Sequence, residues 1–137
     1  MSAPFRLLSR EEFKKAVFDR DRHICVVCGA PAADAHHILD RKLFPDGGYY
    51  LENGSSLCQK DHLEAEMSTL SVEDIRKLCG ITSWPIPPGL DRDRHYDKWG
   101  NEILADGRRE PGPMFHDDGA RKILAKAGFL YDGTFPL

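Results

Sequence analysis

No stretch of this 137-residue chain approaches the roughly 18 consecutive apolar residues of a membrane span. Residues 1–10 also lack the apolar centre of a signal peptide, so the expectation is a cytoplasmic protein with no membrane partner. Nor is there a basic surplus. Nineteen Lys and Arg against 22 Asp and Glu leave a net charge of −3, which argues mildly against a nucleic-acid partner. No internal repeat or low-complexity tract is visible. Only four cysteines are present; they could form two disulfides, but a reducing compartment keeps thiols free, and there Cys-x-x-Cys more often binds metal or does redox work.

What remains fits one compact domain with a modest core, 41% of its residues being hydrophobic, helped by a structural ion. The charge is unevenly spread. Residues 1–42 hold eight Lys and Arg against six Asp and Glu, whereas residues 43–80 hold three against seven. Cations bound in the acidic part would offset some of that charge.

Ser9-Arg10-Glu11-Glu12 has the form of a capping box, with Leu8 and Phe13 at the staple positions, so a helix is predicted to start near Arg10. Its apolar side is Phe13, Ala16 and Val17; Lys14, Lys15, Arg20 and Arg22 stay mostly exposed, as a solvated face or as phosphate contacts. A strand over 35–39, turn chemistry at Pro45-Asp46-Gly47-Gly48, a strand near 55–57 and a helix over 59–67 follow in order. Ser71 with Asp74 caps a further helix that carries Ile75 and Leu78 on one face and stops at Gly80, with Cys79 as a small buried hydrophobe. Residues 84–89 must be extended or turned, 91–116 show no clear period, and a last helix is predicted over about 118–127. The fold class is therefore α+β. Residues 1–80 form a core and residues 81–137 an irregular arm packed on it, because Trp84, Phe115, Phe129, Tyr131 and Phe135 need burial.

Two motifs carry the chemistry. Cys25-Val26-Val27-Cys28-Gly29 reads as a zinc knuckle, since two thiolates at that spacing grip one tetrahedral ion across a tight turn. Asp34-Ala35-His36-His37-Ile38, followed by Asn53, Cys58 and His62, offers a base, an orienting amide and metal ligands, which is most of a hydrolytic site.

In this order and spacing, residues 10–66 resemble the HNH endonuclease family, of the ββα-metal type. The resemblance implies a ββα-metal core with a structural zinc site. It implies a metal-dependent endonuclease acting on DNA, with His37 as general base. Asn53 would hold the base in orientation. His36 and His62 would bind a catalytic divalent cation (Mg2+, Mn2+, Ni2+ or Zn2+) serving as Lewis acid. Glu66, one turn after His62, is the candidate third ligand or an exposed helix glutamate. Arg41 and Lys42 are candidate phosphate clamps. For the structural Zn2+, Cys25, Cys28 and Cys58 leave Asp61 where relatives usually have a fourth cysteine. Either Asp61 completes the site, or zinc takes His62, or zinc is held weakly or lost.

A different class of reading is a non-catalytic, zinc-stabilised nucleic-acid-binding module. A zinc deaminase is disfavoured because the Cys pair precedes His62-x-Glu64, the reverse of the order in that signature. His23, His95 and His116 match no position of the resemblance, and Arg92, Arg94, Arg108 and Arg109 fit solvated loops better than a duplex backbone.

Overall fold

The computed structural model describes residues 5–128; Phe129, Tyr131 and Phe135, expected to be buried, lie outside them. The chain is α+β. Helix α1 (Arg10–Arg20) begins at a complete capping box: the Ser9 hydroxyl accepts from the Glu12 amide, and the Glu12 carboxylate accepts from the Ser9 amide at 2.8 Å. It buries Phe13 and Val17, and its C-cap Asp21 accepts the Ser56 amide at 2.9 Å.

Strands β1 (Asp34–His37) and β2 (Gly54–Leu57) pair antiparallel, with His36 opposite Ser55 and His37 opposite Gly54. Helix α2 (Gln59–Glu66) follows β2 at once, completing a β-β-α order, and α3 (Val72–Cys79) ends where Gly80 adopts the left-handed conformation, φ 72°. Between the strands, Asn53 is 2% exposed and closes the long loop. Its amide accepts from the Leu39 N–H at 2.9 Å and donates to the carbonyls of Leu39 and Gly48.

Residues 91–116, which show no clear period in the sequence, contain a short hairpin of β3 (Glu102–Ile103) and β4 (Arg109–Glu110). It is organised by a buried carboxylate rather than by hydrophobic period. Asp97 accepts from the amides of Trp99 and Asn101, from the Asn101 side chain and from Arg109 at 2.9 Å. Arg109 is therefore 8% exposed, not a solvated loop cation. Helix α4 (Asp118–Lys126) is capped by Asp117 and buries Ala120 and Leu124.

A single apolar cluster contains Ile38, Leu39 and Leu57 from the hairpin, Ala65 and Ile75 from α2 and α3, and Trp99, Met114 and Leu124 from the later segment. Leu78, expected inward beside Ile75, is 49% exposed. Helix α3 instead turns Arg76 inward, where its guanidinium lies 4.0 Å from the Trp84 ring centroid. Among the described residues, no helix is long and apolar enough to cross a membrane.

Candidate metal centre and the adjoining groove

The knuckle forms because the chain reverses within six residues: the Cys25 amide donates to the Ala30 carbonyl at 2.7 Å and the Gly29 amide to the Cys25 carbonyl at 2.9 Å. Gly29 sits at φ 79°, where an L side chain would be strained. A bond from the Val26 amide to the Ser56 carbonyl lays the knuckle on β2, directly before Cys58, the N-cap of α2. Asp61 follows in the first turn, its Oδ2 3.2 Å from both the Cys25 and the Cys58 sulfur. The Cys28 and Cys58 sulfurs are 3.7 Å apart.

All four ligand atoms lie within 4.8 Å of one another. A tetrahedral zinc with bonds of about 2.3 Å places its sulfurs roughly 3.8 Å apart, so this donor set fits such an ion. Asp61 takes the fourth position, and His62 is not in the set. The Ala30 backbone lowers the Cys28 pKa, but desolvation and the neighbouring Cys25, Cys58 and Asp61 outweigh it and push it up to about 11. Metal binding must then displace protons.

A groove of about 640 Å³ is lined by α1, β1, α2 and Lys98. His36 is 2% exposed, and neither of its ring nitrogens has a hydrogen-bond partner. His37 ends β1, which lets both histidines line the same groove. Its ring stacks on Phe13 at 4.7 Å and meets Tyr49 edge-on. Burial, then the Lys98 charge, lowers its pKa to about 4. Arg41 lines the groove; Lys42 does not, because its ammonium is 3.0 Å from Asp117 at the start of α4.

The catalytic expectations are overturned here. Among the described residues, the cluster able to hold a metal is Cys25, Cys28, Cys58 and Asp61, with no histidine in it. His36, His62 and Glu66 do not assemble a catalytic-cation site. His62 is clamped between two carboxylates, Nδ1 3.0 Å from Asp34 and Nε2 3.4 Å from Glu66. Its pKa is raised, chiefly by the hydrogen bond to Glu66 and then by that to Asp34, against the opposing effect of burial. His37, with its pKa near 4, is a poor match for a general base at neutral pH. The reading as an HNH endonuclease, a phosphodiester hydrolase with a divalent Lewis acid, is therefore corrected to that of a closed structural metal site.

Sequence reasoning missed Lys98 and Trp99. Lys98 is 4% exposed; its ammonium donates to the His37 carbonyl at 3.0 Å and pairs with Asp40 at 3.3 Å, while its own carbonyl accepts the Asp40 amide. The Trp99 indole donates to the Glu66 carbonyl at 2.8 Å. The one local signal was the turn-forming string Asp97 to Asn101; nothing in it names partners 33 to 61 positions earlier. No protein-family model, curated protein or solved structure matches this chain.

Proposed function

We propose that this chain is a non-catalytic, zinc-stabilised module that binds nucleic acid, DNA first among the candidates, on a scaffold of the ββα-metal type. The carrying observation is the four-donor set of Cys25, Cys28, Cys58 and Asp61. Four protein ligands leave a tetrahedral ion no open position for water or substrate, the arrangement of a structural site. The β-β-α order of β1, β2 and α2 supports kinship of the scaffold with the HNH type. The groove supports the partner: the cations Arg10, Lys14 and Arg41 are exposed along it beside the acids Glu11 and Asp34, although the whole chain is acidic. Local cations of this kind meet phosphates and release counterions.

The test joins metal analysis to DNA binding measured by fluorescence anisotropy over a range of salt. One tightly held zinc per chain and an affinity that falls as salt rises are expected. Zinc-loaded protein that binds no DNA at low salt would remove the partner. Divalent-cation-dependent cleavage of supercoiled plasmid would reverse the non-catalytic reading.

A further inference from the structure

The four donors of the metal cluster are not equally sheltered. Cys25 is 1% exposed, and its thiol is held on the Asp61 carboxylate at 3.2 Å. Cys58 shares that carboxylate but is only half-buried, and Cys28, at the knuckle tip, is exposed. Nothing crowds the tip: a Cβ on Gly29 would meet no heavy atom within 4 Å, and Val27 is 40% exposed. An oxidant in the solvent therefore meets Cys28 first. The sulfur next to it belongs to Cys58, 3.7 Å away. As the N-cap of α2, Cys58 accepts the Asp61 amide, a position that favours a negatively charged sulfur. Cysteines that ligate zinc are thiolates, and the thiolate is the form that peroxide oxidises. Cys79 is outside the cluster, its sulfur turned to the Gly54 carbonyl at 4.0 Å.

We propose that Cys28 is a site of oxidation by peroxide, and that it closes a disulfide with Cys58 which releases the zinc and takes over its task of joining the knuckle to α2. This rests on the structural-zinc part of the reading above and not on its nucleic-acid part. In the first step the Cys28 sulfur attacks one peroxide oxygen, the O–O bond breaks, and hydroxide leaves and takes a proton to become water. Cys28 is then a sulfenic acid. In the second step the Cys58 sulfur attacks that sulfur, the S–S bond forms, the S–O bond breaks, and a second hydroxide leaves and is protonated. Two electrons from the sulfur pair and two protons from solvent reduce one peroxide to two waters. The sulfurs must close from 3.7 Å to about 2.05 Å, which the open space round the tip permits. Cys25 and Asp61 are left as two donors where a tetrahedral ion needs four, so the metal is lost. The new bond spans 30 positions that contain β1, Asn53 and β2, so the oxidised chain keeps a staple across the segment that zinc had held. Asp61 makes the change reversible. A fourth thiolate there could pair with Cys25, whereas a carboxylate leaves Cys25 a thiol, ready to rejoin the set once the disulfide is reduced.

The test adds hydrogen peroxide to the zinc-loaded full chain, follows zinc release with a chromogenic chelator, and maps disulfides by mass spectrometry after free thiols are alkylated. Zinc is expected to leave in step with a bond between Cys28 and Cys58, with Cys25 and Cys79 still alkylated. A dithiol with added zinc should reverse the change, and Cys79→Ser should behave as the parent does. The oxidised, zinc-free chain should melt at a higher temperature than the reduced, zinc-free chain. A bond between Cys25 and Cys28, or zinc retained under peroxide that oxidises glutathione, overturns the proposal and leaves the structural zinc standing. So does an oxidised chain that melts no higher than the reduced zinc-free one, since the bond would then not replace the ion. A chain that takes up no zinc at all sinks the zinc reading and this proposal with it.

Discussion

At the scale of the residue, Asp61 decides how well the metal is held. Carboxylate oxygen is a harder donor than thiolate, so Asp61→Cys should raise zinc retention against chelator and the melting temperature, since tighter binding to the folded state alone stabilises it. Asp61→Ala should lower both; unchanged values in both variants would remove Asp61 from the site. The two groove histidines make a second prediction, about acid. Their folded-state pKa values lie below the ordinary 6.5, chiefly through burial, with His37 near 4. Between those limits the unfolded chain binds more protons than the folded one. Stability therefore rises with pH across the window, by up to about 1.4 kcal/mol per pH unit for each histidine, and is lost as pH falls from about 6.5 towards 4. Urea midpoints measured over that window should fall less steeply for His37→Leu than for the parent; parallel slopes would show that His37 is not held neutral. The residues were legible as a set because ligand spacing is local: Cys-x-x-Cys and Cys58-x-x-Asp61 each lie within one turn. The state of His62 was not legible. Its fate depends on Asp34, 28 positions away, arriving at its second nitrogen.

Elements were read more reliably where a cap or a glycine marks an end. Ser9, Ser71 and Gly80 stand where the sequence put them, because capping is satisfied within three residues. Faces were read less well, as with Leu78 and Arg76, because the side of α3 that is buried depends on Trp84 lying across it. The packing of α1 on the hairpin yields a sharper test. A Cβ on Gly54 would press into Val17 and into the Phe13 ring. Gly54→Ala should cost about 1–3 kcal/mol by overpacking. Val17→Ala in the same chain should recover part of that loss, so the double variant should be less damaged than the sum of the singles. Strict additivity in urea melts would mean that α1 does not rest on Gly54.

For the whole molecule, residues 81–137 were expected to pack as an arm on a core of residues 1–80 within one compact domain. Trp99, Met114 and Leu124 share one core with Ile38, Leu57 and Ile75. The full chain should melt in one calorimetric transition, moved down by chelator, and a chain ending after Gly80 should lose that transition and bind an apolar dye; two separable transitions would show independent units. The packing of the later segment was expected from its aromatics, but the turn that docks it was hidden in the sequence, because Asp97, Asn101 and Arg109 build it from buried polar bonds, which leave no hydrophobic period to read. The same arrangement sets a timetable for synthesis. His37 meets Lys98 only across 61 positions, so the groove floor does not exist while the first 97 residues are being made. At about 5–20 residues per second, the wait between Asp61 and Lys98 is on the order of seconds. The donors from Cys25 to Asp61 are complete before that interval, so metal capture at this site would pin the hairpin to α2 while its apolar underside awaits Trp99. A cell short of zinc would leave that unfinished half exposed to chaperones and proteases on the ribosome.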